Sequence, residues 1–422
     1  MSFIIQRNVS NVPEVAVGGS GIRLRLANGQ HVIDGSGGPA VACIGHGNER
    51  VADAIGRQAR QMAYVHSTFY TSEPAERLAD LLLSHRPGGL THAFFVSSGS
   101  EAVEAAIKLA RQYFVECGQP RRTRFIARRQ SFHGVTLGAL SLGGHVGRRA
   151  HFEPLLAGNI SRVSPCFPYR YQNNETDSEY VDRLAAELEQ EIQRVGPETV
   201  AAFFAETIVG ATAGCVTATP GYFREIRKVC DRHGILLVLD EVMCGMGRSG
   251  TLHAWEQEDV APDIQVIGKG LGGGYQPIGA VLASDKVVEA LRSGSAEFVH
   301  GQTYQAHPVA CAGALEVQRI IAEEDLVSNA ARMGEKLDSM LKERFGAHDN
   351  VGDIRGRGLF RALEFVSDRE TRAPCEASKK VAYHVRRAAL DCGLIIYPSG
   401  GTVDGSVGDH VIVAPPFNVI ED

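Results

Sequence analysis

The segment "VIGKGLGGGYQPIGA" (266–280) places one lysine, Lys269, directly after an apolar run and among glycines. Glycine removes side-chain bulk and suits a place where something must come close. Lysine is a poor core residue but a good nucleophile once its amine loses its proton. The pattern fits either a flexible surface loop or a lysine that bonds covalently to a molecule held beside it. Other apolar runs end in residues with chemical potential of their own. "LLVL" is followed by Asp240, Glu241 and Val242. Strand alternation puts Asp240 and Val242 on one side and turns Glu241 away. A carboxylate beside an apolar contact can hold a ring with a basic nitrogen and keep that nitrogen protonated; a solvent-facing Asp at a strand end is the plainer alternative. "AFFV" runs into Ser98, Gly99 and Ser100. At a strand-to-helix turn, free amides and the helix dipole favour a phosphate, although helix capping by serine explains the same residues. "RFIARRQS" leads to Phe132, which can stack on a planar ligand, and His133, which can orient a neighbouring carboxylate. Glu206 ends "VAAFFAE" by the same logic, with a weaker signal.

These residues need a frame that gathers strand ends. From about residue 93, short apolar runs ("AFFVSS", "RFIA", "VAAFFAE", "ILLVLDE", "IQVIGK") alternate with helical patterns. That alternation predicts an α/β fold with a mostly parallel sheet covered on both faces, whose ligands gather at the carboxyl ends of the strands. Helices are predicted over 49–62, 73–84 (Ser72 available as cap, Pro74 in the first turn), 177–195, 221–233, 308–322, 325–345 and 376–392. Thr176 and Glu179 have capping-box spacing, and Gly234 marks a stop. The alternating Ile22, Leu24 and Leu26 before Asn28-Gly29 predict a hairpin. "VGDIRGRGLFRALEFV" and the chain end read as strands. The expected division is an N-terminal segment (1–60) joining a small α+β domain (306–422), around a large domain (61–305).

Composition narrows the function. The net charge of −6 and pI near 6.2 argue against nucleic-acid binding. The basic stretch "PRRTRFIARR" (120–129) is expected to be a solvated surface around a short strand. No apolar run approaches membrane-spanning length, and "MSFIIQRNVSN" lacks a signal-peptide pattern. Nine scattered cysteines without a CxxC pair read as reduced thiols in a cytoplasmic protein. Without HExxH there is no support for a metal site. "GKGLGG" contains a GxG, but Pro277 and more glycines follow it where a nicotinamide-binding turn requires a helix.

A phosphate cradle, an acid for a ring nitrogen, an aromatic stacker and a glycine-flanked lysine together suggest pyridoxal phosphate. Here the sequence resembles the class III aminotransferases of fold-type I. The blocks that carry the resemblance run in order along nearly the whole chain: "FFVSSGSEAVEAAIKLAR", "RRQSFHGVTLGALSL", "LLVLDEVMCGMGRSG", "IGKGLGGGYQPIGAV", "GQTYQAHPVACAGALEV" and "DIRGRGLFRALEF". The resemblance implies that Lys269 forms the covalent aldimine with pyridoxal 5'-phosphate and then shuttles a proton. It implies that Asp240 partners the ring nitrogen, Val242 packs under the ring and Phe132 stacks on it, where many relatives have tyrosine. Gly99 and Ser100 match the phosphate turn. Thr303 matches a threonine that reaches the phosphate of the other subunit, which implies a homodimer with shared active sites. Glu206 and His133 match less specific positions around the cofactor.

The implied reaction is ping-pong transfer of an amino group from an amine or ω-amino acid to a small keto acid such as pyruvate or 2-oxoglutarate. A lyase, decarboxylase, racemase or aminomutase on the same fold is the alternative, and a catalytically silent binding protein a further one. Two departures stand out. Many relatives bind the keto-acid carboxylate with an arginine shortly before "APP", but "AALDCGLIIYPSGGTVDGSVGDHVIVAPPF" has neither arginine nor lysine; Arg361 and Arg23 are substitutes to consider. Relatives also continue past "APPF" into a final helix where this sequence has "NVIED", so a trimmed end or a differently closed small domain is expected.

Overall fold

The computed structural model describes residues 3–421. Met1, Ser2 and Asp422, which belong to the terminal stretches read above, lie outside the described residues. Seven strands form the central sheet, in the order Leu90–Val96, Gly279–Ser284, Ile264–Ile267, Leu236–Asp240, Val200–Glu206, Arg124–Arg128, Ile160–Val163. Only Gly279–Ser284 runs against its neighbours; the other pairs are parallel. Strands that alternate with helices, and are buried on both faces, yield this arrangement.

Alternate side chains of the middle strands enter two separate cores. Phe203, Ala205, Leu237 and Leu239 join Leu78, Leu82, Leu184, Leu188 and Ile226 on one face. Ala202, Phe204, Leu236 and Val238 join Val103, Ala106 and Phe114 on the other. Burying each large side chain is worth about 1.5–3 kcal/mol, which makes register slips along these strands costly. The helix Gly99–Glu116 supplies the second core, and the helices Glu73–Leu83, Asp177–Val195, Tyr222–His233 and Pro308–Glu323 the first.

Two smaller sheets flank this unit. The hairpin strands Arg23–Leu26 and His31–Asp34 pair with Ala16–Ser20 on one side and, across nearly the whole chain, with Leu394–Ile395 on the other. Val351–Arg357, Phe360–Asp368, Asp409–Val413 and Tyr397–Gly400 make the second sheet, with the short strand Ala373–Pro374 paired to Phe360–Asp368 as its fifth member. Among the described residues, no helix is long and apolar enough to cross a membrane.

Most predicted helices appear within a residue or two, including the capping box of Thr176 and Glu179. Four features differ. Ser72 occupies its N-cap position, yet its hydroxyl makes no cap bond and is buried without a partner. The helix predicted over 376–392 is confined to Val381–Asp391, because Lys380 adopts the left-handed conformation. The strands Ile160–Val163 and Gly279–Ser284 were not anticipated; one has four residues and the other continues a glycine-rich segment. Finally, the stretch 120–129 is only partly solvated. Arg121 and Arg129 pair with Glu198 and Glu187 at the surface. Arg122 is buried, donating to the carbonyls of Val200 (2.7 Å) and His233 (2.9 Å). Arg128 is buried too, donating to the Glu206 carbonyl beside the Tyr222 and Phe223 rings. A guanidinium carries enough donors to tie several chain segments together when carbonyls surround it.

Candidate active site

The strand Leu236–Asp240 delivers its last residue to the carboxyl edge of the sheet. Asp240 is buried there, directly in register with Glu206 on the neighbouring strand. Its Oδ2 lies 2.8 Å from His133 Nδ1, and its Oδ1 accepts the Val242 amide at 3.0 Å. The histidine orients the carboxylate, as expected from the residues alone. Its other nitrogen, Nε2, is buried without a partner among the described residues. Val242 faces the same side as Asp240, but through that short turn and not through the pleat, since the strand ends at Asp240.

Glu206 is a holder of loops. Its two oxygens accept the amides of Phe132 (3.0 Å) and Gly210 (3.1 Å). Burial pushes its carboxyl up from the ordinary range, and the charge of Asp240 adds to that. Phe132 is thereby anchored through its backbone, and its half-buried ring carries the Arg148 guanidinium over one face, with Cζ 4.8 Å from the ring centre.

Ser98 caps the helix Gly99–Glu116 by accepting the Glu101 amide at 3.2 Å. The capping reading is therefore correct. The amides of Gly99 and Ser100 sit in the first turn with no acceptor among the described residues. The Ser100 hydroxyl accepts the Val135 amide at 3.1 Å, which ties this turn to the loop carrying Phe132 and His133.

Lys269 follows the strand Ile264–Ile267 and has a positive φ of 45°. A left-handed backbone on a residue with a Cβ is strained, and such strain persists where the surroundings hold it. The glycines beside it serve close approach. A Cβ on Gly99 would stand 2.7 Å from the Val242 side chain, one on Gly268 3.3 Å from it, and one on Gly279 2.6 Å from the Ser98 carbonyl. Three chain segments thus converge where side chains would keep them apart. The Lys269 amine is pushed down to about 8 by loss of hydration, although the residue keeps some exposed surface. Asp240, Glu206 and Cys244 pull it up again and Arg148 pushes it down. The cluster therefore combines an amine able to lose its proton near neutrality, a carboxylate held by a histidine, and open helix amides.

Glu241 turns away, as alternation requires, but into the core. Its carboxylate accepts Thr207 Oγ1 (2.8 Å), the amides of Ala254 and Trp255 (2.7 Å each) and Gln265 Nε2 (2.9 Å). Burial pushes it up to about 7. Sequence reasoning gave it no such role, since its partners come from three separate segments.

Thr303 is not brought to this cluster within the single chain. It is exposed, in the turn before the helix Pro308–Glu323. Of the two suggested carboxylate-binding arginines, Arg361 is already occupied. Arg361 is committed to Asp338 (2.9 Å) and to the carbonyls of Gly356 (2.7 Å) and Gly358 (3.0 Å). Arg23 is exposed on the N-terminal hairpin.

A fold that gathers a lysine, an aspartate and open helix amides at the carboxyl edge of a seven-stranded sheet defines a class of cofactor enzyme, and comparison narrows it. The family described as aminotransferase class-III matches residues 4–421. An uncharacterized aminotransferase of Schizosaccharomyces pombe is 48% identical over 422 residues, covering 100% of this chain and 92% of its own. The putrescine–pyruvate aminotransferase of Pseudomonas aeruginosa is 34% identical over 399 residues, covering 94% and 85%. The ω-transaminase of Pseudomonas jessenii, solved in complex with PMP, superposes with a TM-score of 0.93 at 34% identity, covering 100% of this chain and 92% of its own. This chain belongs to the class III aminotransferases, enzymes that use pyridoxal phosphate. It is an aminotransferase, which removes the silent, lyase and nicotinamide readings.

Proposed function

We propose that this aminotransferase moves an amino group from an amine or ω-amino acid to a small keto acid such as pyruvate or 2-oxoglutarate, with Lys269 and Asp240 at the reacting centre. The observation that carries the site assignment is the buried Asp240, clamped by His133 at 2.8 Å and facing a Lys269 whose amine titrates near 8. The donor set fits pyridoxal phosphate: open amides of Gly99 and Ser100 for the phosphate, Asp240 for the ring nitrogen, Val242 and Phe132 for the ring faces. When bound, pyridoxal phosphate supplies an electron sink for charge developing next to the substrate nitrogen.

The protein residues do the rest. Lys269 would hold the cofactor through its amine and would accept and return the proton at Nζ; an amine pushed down to about 8 suits both directions. Asp240 would keep a proton on the ring nitrogen of the bound group. His133 holds Asp240 in position through Nδ1, and Glu206 holds the Phe132 backbone. The Pseudomonas aeruginosa relative, named for putrescine and pyruvate, supports a diamine or amine donor and a keto-acid acceptor.

Thr303 is assigned to the phosphate of a second copy in a homodimer. Its exposure here, next to the exposed Tyr64, Tyr304 and Val299, supports a surface that a partner covers. We read residues 1–60 and 306–422 as one small domain against 61–305. The pairing of His31–Asp34 with Leu394–Ile395 supports that division. Nine unpaired cysteines support a reducing, cytoplasmic setting.

The test is the visible spectrum of the purified protein with a panel of donors. A yellow protein that bleaches with some amines and recovers with pyruvate or 2-oxoglutarate meets the proposal. A protein that takes up no pyridoxal phosphate, or whose colour responds to no donor, overturns it.

A further inference from the structure

A carboxylate entering a partly buried site must meet a cation or a set of donors, because leaving it unpaired away from water is costly. Residues 388–417 contain no arginine or lysine, and Arg361 is fully committed elsewhere. We propose that Arg148 binds the carboxylate of the keto-acid acceptor; this rests on the aminotransfer reading above.

Arg148 belongs to the short helix Val146–Arg149. Its neighbour Arg149 is buried, with its guanidinium bonded to the carbonyls of Ser141 and Gly143 (2.8 Å each) and to Glu153 (2.8 Å). The Arg148 amide donates to the His145 carbonyl at 3.1 Å, but its guanidinium has no hydrogen-bonding or ion-pair partner among the described residues. Instead its Cζ lies 4.8 Å from the centre of the Phe132 ring, next in the chain to His133. A guanidinium resting on a ring is held flat while its N–H edge remains open, which is the geometry that receives a carboxylate with two parallel bonds.

The helix of Arg148 also packs on the loop where the cation is missing. A Cβ on Gly147 would stand 2.8 Å from the Gly405 carbonyl, and one on Gly405 2.7 Å from Val146. Gln130, two residues before Phe132, secures the same loop by donating to the carbonyls of Gly401 (2.8 Å) and Thr402 (3.0 Å). The other charged groups nearby do not compete. His145 and His410 are buried and kept toward their neutral forms, first by burial, with Arg148 adding to it. Asp404 is turned back on its own loop, accepting from Ser406 and Val407. Arg148 is therefore a permanent, uncompensated positive charge beside Phe132, and its field reaches Lys269.

The experiment uses the holoenzyme with Arg148→Gln and Arg148→Lys. After amination by a donor, recovery of the visible band is titrated with pyruvate and with propanal, which lacks the carboxylate. Binding of propionate, which cannot react, is measured by calorimetry. In Arg148→Gln, half-maximal recovery with pyruvate should need about thirty-fold more acceptor or more, with a far smaller change for propanal. Propionate should bind about tenfold more weakly or worse, and Arg148→Lys should regain part of both losses. Equal shifts for pyruvate and propanal, or unchanged propionate binding in a variant that still loads cofactor, would overturn the assignment. A wild-type protein that binds propionate through Arg148 yet recovers with no keto acid upholds the carboxylate site and overturns the aminotransfer reading instead.

Discussion

The floor and the outer wall of the site are built on opposite terms. On the floor, Asp240, His133 and Glu206 are buried, in strand register or bonded to one another, and nearly every polar atom has a protein partner. On the wall, Phe132 and Arg148 are half-buried, and the Arg148 guanidinium, lying over the Phe132 ring, has no hydrogen-bond or ion-pair partner among the described residues. In the proposed reaction the floor handles one cofactor and can be rigid. In the same proposal the wall meets ligands that come and go, and a site that were fully satisfied in the free protein would have nothing left to offer them.

The same contrast appears within two adjacent residues. Asp240 faces the site and leaves lone pairs open, whereas Glu241 accepts four donors and serves only to bind three chain segments together.

Breaking the floor should cost most. Lys269→Ala should lower turnover by about 10⁴-fold or more, since the role proposed for Lys269 combines covalent attachment and proton carrying. In the apoprotein, acylation of one reactive lysine should rise with pH around a midpoint near 8 and vanish in that variant, as peptide mapping would show. Turnover within tenfold of the wild type would mean that another lysine does the chemistry. Asp240→Asn should follow, with a loss of about 10²–10³-fold in kcat at nearly unchanged stability. A comparable drop in urea midpoint would instead make Asp240 structural.

Glu241 should reverse that pattern. Glu241→Ala strands buried donors and should cost about 3 kcal/mol or more of stability, read by urea unfolding. Its folded titration near 7 lies above the ordinary 4.5, so the folded state binds this proton more tightly than the unfolded chain. Its contribution to stability therefore falls as pH rises from about 4.5 to about 7, and Glu241→Gln should lack that part of the slope. An unchanged slope would place the ionisation elsewhere.

Much of the floor was legible beforehand because it depends on strand ends. Asp240, Glu206 and Lys269 each close an apolar run, and a parallel sheet delivers those ends to one edge whatever the loops do. The wall was not legible in this way. Arg148 sits next to an equally basic Arg149, and nothing local separates the bonded guanidinium from the free one. In the same way, Arg122 and Arg128 lie in a basic stretch with the pattern of surface charge, and carbonyls from distant segments bury them.

The layered α/β frame, the strand-end residues and the family can be read along the chain, because periodicity and terminal residues are local and the sheet converts them directly into position. The separate fates of Arg148 and Arg149, the role of Glu241 as a core hub and the convergence of three segments at the glycines near Lys269 emerge only on folding. Each of those outcomes depends on contacts between residues far apart in the chain, whose partners no local pattern specifies.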